Sequence, residues 1–566
     1  MVDPTPWLAH YDRGVATTLA PYPHRTILEY VADHARKRAS EPALLFKGAS
    51  MSWSSLDRQS DALAAALIDL GVERSDRVGL LLPNCPQFVV GELAAWKIGA
   101  IVAPLNPIHT EHELEEAITD HSVETIVTLT RFYQRVKQLQ GRTPVRRVIT
   151  SNIKEYFPPL LRLAFTALRE RRDGDRVDTA RADYKLGDLL RQYDGMTPGR
   201  VAPSPDDPAI LLLSGGTTGT PKGALGRHGA YVLTGLQVEA WTASAFDRGR
   251  NVIMVPLPLF HVYANVGIQG LAFVTGNPMA LVPNPRDLDD LVKTVRRVKP
   301  AFFNGVPTLY VALLRHPDVQ QKRVDFKSIK ICFSGAAALL ADTKTRFESL
   351  TGGRIVEGYS LTEAMMALVV NPVKGPNKLG SVGMPLPDVH VRIVDADDPT
   401  LEMPRGKTGE ICLSAPQLMV GFWNRPEETS GVLRDHVERN GTRRWLHTGD
   451  LGYLDEDGYL FIVDRKKDLI KTSGYQVWPR EIEEILASHP AVAEVGVAGV
   501  PEEARGEAVM AWVVLRAAQR ATEDELREFC RERLAPYKVP TRIEFRTDLP
   551  KSMVGKVLRR VLRASA

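Results

Sequence analysis

Cysteine is scarce: four residues in a chain of 566, Cys85, Cys332, Cys412 and Cys530, stand far apart, with no CxxC or Cys/His spacing. That pattern excludes a disulfide framework and a zinc module, and it fits a reducing, cytoplasmic location. Long apolar runs are missing too. The longest, from Gln87 to Leu105, is interrupted by Glu92 and Lys97, so it reads as a buried helix leading into a strand and not as a bilayer span. The opening MVDPTPWLAH lacks a basic stretch followed by an apolar one, so no secretory signal is expected. Charge of one sign is also short: 72 Lys and Arg against 68 Asp and Glu leave +4, which gives no reason to expect nucleic acid. There is no internal repeat. No GxSxG elbow is present, which removes a serine hydrolase of the α/β type, and no GxGxxG dinucleotide fingerprint occurs.

What is present reads as a soluble globular chain, with 44% hydrophobic and 25% charged residues, too long for a single core. Short apolar runs alternate with helical periodicity through the first two thirds, as in Val78 to Leu82 followed by Cys85 to Ile98. This predicts α/β layers with parallel strands. From about Asn152 to Asp207 the pattern breaks: YFPPLLRLAFTALRERR is apolar and basic, and GMTPGRVAPSPDDP is rich in turn formers. The segment reads as a surface excursion followed by a linker. After Arg465 a compact α+β unit is expected. Pro479 with Glu481, Glu483 and Glu484 starts a helix; Thr522 with Glu525 forms a capping box ahead of Leu526, Phe529, Cys530 and Leu534 on one face; Val492 to Val500 and Ala508 to Leu515 are strands. Lys551, Lys556, Arg559, Arg560 and Arg563 form a basic end.

The strongest local signal is LLLSGGTTGTPKG, Leu211 to Gly223. A strand runs into a loop whose glycines let backbone N–H groups converge on anionic oxygens, while hydroxyls and Lys222 add donors and charge. It is not a Walker A loop, because Pro221 precedes the lysine and Gly223 follows it. Alone, such a loop is as readily a solvated turn.

The loop has company. In order follow PLPLFHVYA (Pro256 to Ala264), FSGAAAL (Phe333 to Leu339), EGYSLTE (Glu357 to Glu363), WLHTGD (Trp445 to Asp450), VDRKKDLIKTSGYQVWPREIE (Val463 to Glu483) and LPKSMVGKVLRR (Leu549 to Arg560). Together they resemble the adenylate-forming, AMP-binding superfamily. With PWLAHY and APYKVP they resemble its bacterial long-chain fatty-acid CoA ligase branch. The resemblance implies an α/β fold with a large multi-subdomain N-terminal domain over 1–465, of layered β-sheets and helices. A small mobile α+β domain over 466–566 would turn about a hinge near Lys467.

It also implies the chemistry. A fatty acid attacks the α-phosphorus of ATP, leaving acyl-AMP and pyrophosphate, and coenzyme A then takes the acyl group. Charge on the phosphoryl oxygens must be neutralised in the first step, so cations and N–H donors are the parts required. By resemblance, Thr217, Thr218, Gly219, Thr220, Pro221 and Lys222, flanked by Ser214 and Gly216, hold the β- and γ-phosphates. Thr218 and Glu363 bind Mg²⁺. Tyr359 stacks on adenine, with Gly335, Ala336 and Gly358 giving close backbone approach and Glu357, Ser360 and Thr362 completing the nucleotide set. Asp450 accepts from the ribose, and Arg465 lies near it. Lys556 is the candidate catalytic cation between carboxylate and α-phosphate. Lys467 is the hinge, after whose rotation Ser473, Gly474 and Tyr475, assisted by Lys471, face the site and admit coenzyme A. His261 and Val262, with Gly335 and Ala337, border the acyl substrate. Gly215, Ala336 and Ser360 depart from the serine, glycine and glycine common there.

Two other readings stay open. The same motifs serve an aryl acid or a transfer to a carrier protein, and a non-catalytic nucleotide or fatty-acid binder could share the fold. YFPPLLRLAFTALRERR, about 153–172, suits either a peripheral contact with the inner face of the cytoplasmic membrane or a helix packed on the larger domain. A homodimer is allowed by the resemblance.

Overall fold

The computed structural model describes residues 5–199, 202–214, 221–337, 339–438, 441–472, 475–502, 506–551 and 557–566, with Tyr475 and Gln476 as backbone only. The alternation read at Val78 becomes the strand Arg77–Leu81, the helix Pro86–Lys97 and the strand Ile101–Leu105. Pro86 opens that helix at a position where its missing N–H leaves nothing unpaired. Gly99, at φ 73°, makes the left-handed turn that returns the chain to the sheet.

These strands are central to an eight-stranded sheet in the order Gly421–Phe422, Lys222–Arg227, Pro208–Ser214, Ile101–Leu105, Arg77–Leu81, Thr125–Leu129, Arg147–Ser151, Tyr184–Lys185. A second sheet, fourteen strands among the described residues, joins two patterns. Its parallel half includes Ile253–Val255, Phe302–Gly305, Ile331–Ser334 and Arg354–Tyr359, all of whose residues but Arg354, Glu357 and Gly358 are buried, as strands covered on both faces must be. Its antiparallel half contains Gly409–Ser414, Gly441–Leu454 and Leu460–Arg465.

Past Arg465 the chain makes a single helical turn, Lys466–Asp468, and enters a third sheet of five strands. Val492–Glu502 pairs with Gly506–Leu515, and the helices Pro479–Ala487 and Glu523–Arg531 cover them. Thr522 and Glu525 form the expected reciprocal cap, and Ile482, Leu486, Val497, Leu526 and Cys530 make a core separate from that of the rest. Phe529 is only half-buried, edge-on to His489 at 4.8 Å.

The basic end is neutralised from a distance. The Arg559 guanidinium lies 2.7 Å from Asp464, 3.1 Å from Asp468 and 2.7 Å from Glu483, and Lys551 lies 2.6 Å from Glu494. The excursion at 152–207 is more than a surface loop. Tyr184–Lys185 extends the eight-stranded sheet and Leu186–Gln192 packs on the helix Trp53–Asp69, whereas Pro159–Leu168 stands out from the body. Among the described residues no helix is long and apolar enough to cross a membrane.

Candidate active site

The phosphate-loop candidate is a connection with fixed ends. Ser214 closes one strand, Lys222 opens the next, and the two are partners across the antiparallel ladder. Gly216, Thr217, Thr218, Gly219 and Thr220 lie outside the described residues, as do Ser473, Gly474 and Lys556; of Tyr475 only the backbone, in the strand Tyr475–Val477, is described. Lys222 stands over the Phe422 ring at 5.3 Å and 3.9 Å from Glu428, partners that its motif gives no hint of. Gly223 has its own reason: a Cβ there would sit 2.5 Å from His121 Nε2.

Ile331–Ser334 and Arg354–Tyr359 run parallel with Ser334 opposite Glu357, so both motifs emerge at the carboxyl edge of the sheet, where open α/β folds bind ligands. Gly335 faces the Tyr263 ring and the Gly358 carbonyl, at 3.3 and 3.5 Å from where a Cβ would be. Ala336 adopts φ 71°, the left-handed region that favours glycine. That is the physical content of the departure noted there. Ala337 beside it is exposed. Glu357 receives the Leu339 N–H at 3.1 Å, and burial holds its carboxyl above the usual range. Arg480 of the small unit is close enough to oppose that rise. Ser360 donates to the Ala367 carbonyl at 2.9 Å, and Thr362 is buried.

Gly449, at φ 69°, turns the chain so that Asp450 falls opposite Arg465. The Asp450 carboxylate then takes the Tyr359 hydroxyl at 2.7 Å on one oxygen and Arg465 Nε at 2.9 Å on the other. Burial and this carboxylate push the Tyr359 phenol far above its ordinary value, so it stays a donor. Glu363 joins the group: burial raises its carboxyl, while the Arg465 charge and the Ser214 hydroxyl pull it back. Lys467 is held below the usual lysine range by burial and by Arg465, with Asp450 and Glu363 acting the other way. Ser214, Tyr359, Glu363, Asp450, Arg465 and Lys467 thus form one cluster drawn from four distant segments.

This clustering at the carboxyl edge is the arrangement the motif order calls for. The chain belongs to the AMP-binding enzyme family. The family's model, AMP-binding enzyme, matches residues 31–423, and that of its C-terminal domain matches 481–556. A long-chain-fatty-acid–CoA ligase of Bacillus subtilis (strain 168) is 38% identical, over 98% of this chain and 97% of its own length. One from Escherichia coli O6:H1 is 36% identical, over 99% and 98%. Among solved structures, ATP-bound MatB from Rhodopseudomonas palustris aligns with a TM-score of 0.80 at 28% identity, over 96% of this chain and 99% of that one.

Within this member of the family the remaining candidates are Lys471, His261 and Val262. Lys471 is exposed in the small sheet, its N–H bonded to Glu507 at 2.8 Å. His261 ends the segment from Val255. Its Nδ1 accepts the Tyr263 N–H at 3.3 Å, and burial pushes the imidazole down to about 4, so it is neutral at pH 7. Val262 beside it is buried. Sequence reasoning missed three things here: the Tyr359–Asp450 bond, Arg480 near Glu357, and the left-handed pair Met365 and Met366 after Glu363. None of the three leaves a cue in the sequence; the Met365 turn is held from the helix His228–Thr242, where Thr234 donates to the Met365 carbonyl at 2.9 Å.

Proposed function

We propose that the chain is an AMP-forming acid–thiol ligase that joins a medium- to long-chain fatty acid to coenzyme A through an enzyme-bound acyl-AMP. The observation that carries this reading is the cluster around Asp450. A buried carboxylate flanked by a phenol and a guanidinium suits a ribose, whose hydroxyls donate to the acid while Tyr359 offers a ring to the base. Glu363 and the Ser214 hydroxyl present oxygen donors only, which fits a hard cation; with Thr218 they would hold Mg²⁺. Bound there, the ion would offset phosphate charge.

In the first half reaction the carboxylate approaches the α-phosphorus in line, and Lys556 supplies the cation that tolerates both anions in contact. Lys222, kept extended over Phe422, adds charge at the phosphate-loop exit. In the second, the thiol needs access to the carbonyl, and Lys556 leaves. We divide the chain into 1–465 and 466–566, with the turn Lys466–Asp468 as hinge; the separate cores and single crossing support this division. The test is a panel of acids from acetate through aryl acids to palmitate, scored for pyrophosphate release and for thioester formation with free coenzyme A. Long acids should lead, and Lys556→Ala should abolish pyrophosphate exchange with ATP binding intact. A chain that releases pyrophosphate with no acid ends the reading.

The same reading locates the enzyme in the cytoplasm with a peripheral hold on the membrane through 153–172. In Pro159–Leu168, Leu160, Leu161, Leu163 and Leu168 are 83, 39, 68 and 74% exposed, and Phe165 alone is buried, edge-on to Phe157 at 5.5 Å. Arg162 within the helix and Arg169, Arg171 and Arg172 just after it are exposed as well. Exposed apolar side chains with arginines close in sequence suit an anionic lipid surface, where fatty acids partition. Leu160→Ser/Leu163→Ser/Leu168→Ser should lose sedimentation with anionic vesicles while keeping activity on a soluble acid. Unchanged sedimentation refutes the membrane contact; loss of a wild-type dimer in its place assigns the face to a second copy.

A further inference from the structure

Every residue from Pro86 to Trp96 is buried, and among them stands one carboxyl, Glu92. Among the described residues no cation pairs with it. Asn265 Nδ2 donates to its Oε1 at 2.9 Å, and Gln269 Nε2 donates to its Oε2. The same Asn265 amide donates to the Leu259 carbonyl at 2.9 Å, and its Oδ1 accepts the Tyr231 hydroxyl. Asn265 and Gln269 both lie in Tyr263–Gln269, a π-helical stretch. Such a turn is wider than an α-turn, is rarely stable unaided, and gathers at functional sites.

The stretch follows His261 and Val262 directly. The Asn265 N–H donates to the His261 carbonyl at 3.0 Å, and the Tyr263 ring lies against Gly335. Upstream, Asn84 holds the other end of the same segment through the Leu259 N–H at 2.8 Å and the Leu257 carbonyl at 2.7 Å. The segment bordering the acyl side of the site is therefore tied at its start by Asn84 and at its end by Glu92.

We propose that Glu92 is a positioning residue that sets the width of the π-helical turn, and with it the placing of His261, Val262 and Tyr263 around the acyl chain. The proposal rests on the fatty-acid reading above. Burial pushes the Glu92 carboxyl up to about 8, with the two amides opposing, so it is uncharged in neutral solution. Facing it from the helix His228–Thr242 is the Tyr231 phenol, itself raised by burial and by Glu92; the π-helical stretch offers amides only. Asp57 and Asp61 on Trp53–Asp69 are taken up by Lys97, and His34 on Ile27–Lys37 is bonded to the Phe273 carbonyl. Among the described residues no charged side chain other than Glu92 bonds to Asn265 or Gln269. A carboxylate formed there at alkaline pH would have the two amide donors and no cation to offset its burial, and that uncompensated charge loosens the turn.

The test compares wild type, Glu92→Gln and Glu92→Leu on octanoate, laurate and palmitate from pH 6 to 9.5. Glutamine keeps one acceptor and can donate to Gln269 Oε1, so Glu92→Gln should hold the wild-type chain-length order within two-fold at pH 7. Leucine fills the space, leaves the Gln269 amide unpaired and takes one of the bonds of Asn265. It should raise KM for the best acid at least ten-fold and change the order, with KM for ATP moving less than two-fold; a merely structural loss would not be confined to the acid. Above pH 8 the wild-type acid KM should climb at least three-fold while that of Glu92→Gln stays flat. This arm decides the matter if Glu92→Leu does not fold. Coincident pH curves, or a folded Glu92→Leu with unchanged acid order, overturn the proposal alone. A wild type inactive on every acid overturns the functional reading and this proposal with it.

Discussion

Replacing Arg559 by methionine removes a guanidinium that is 17% exposed from three carboxylates, of which Asp464 is the most buried at 2% exposure. Breaking a buried ion pair by deleting one partner costs about 3–5 kcal/mol, because the other charge is left uncompensated. Asp464 keeps the Arg480 and Arg465 N–H groups, each at 2.8 Å, so the lower end of that range, about 3 kcal/mol, is expected. The loss falls on the small unit, since Glu483 lies on its first helix and Asp464 on the last strand of the large one. Hydrogen exchange read by mass spectrometry isolates it: amides in Val492–Glu502 and Gly506–Leu515 should exchange about a hundred-fold faster, while the parallel sheet is unchanged. Glu483→Gln, which leaves Arg559 two carboxylates, should cost about 1 kcal/mol. Adding Asp464→Asn to Arg559→Met should recover at least about 1 kcal/mol, as removal of both charges does elsewhere. Exchange within three-fold of wild type in Arg559→Met would falsify the view that this clasp joins the two units.

Glu92→Gln should flatten stability against pH. The native carboxyl keeps its proton up to about 8 where the unfolded one releases it near 4.5, so wild-type stability falls as pH rises between those values, by at most about 5 kcal/mol; urea melts at pH 5 and 8 that shift in parallel for both proteins count against this. Asp450→Asn should raise KM for ATP at least ten-fold in pyrophosphate exchange and leave KM for the acid alone, since the charge is lost and only one of Tyr359 and Arg465 keeps an acceptor. His261→Asn should leave the pH dependence of the acid KM unchanged between 5.5 and 8, because the imidazole is already neutral throughout. Gly223→Ala should destabilise by about 1–3 kcal/mol in thermal melts, and His121→Ala in the same chain should recover much of it.

Much of the fold was legible because each element carried a local reason. The Thr522–Glu525 cap, the Pro479 start and the apolar runs at Val78 and Val492 all act within a few residues, and all appear where those residues put them. The excursion after Asn152 was half read. Turn formers announced the break in periodicity, but the pairing of Tyr184–Lys185 with Arg147–Ser151 depends on a sheet edge that spacing does not express. In the site, motif order gave which segments meet and not how. That Asp450 is held by Tyr359 from 91 residues away, or that Arg559 reaches Asp464, follows from packing across sheets and leaves no trace in either local sequence. Glu92 was visible as an interruption in an apolar run; its partners, Asn265 and Gln269, were hidden because amides in a helix carry no periodic signature.

The rung formed by Ser214 and Lys222 has an engineering corollary. The two strands pair along their length, from Pro208 opposite Arg227 to Ser214 opposite Lys222, so the connection between them is mounted on a base whose register is set behind it. A graft or a reporter dye placed between Ser214 and Lys222 is therefore anchored in the eight-stranded sheet by that one pair.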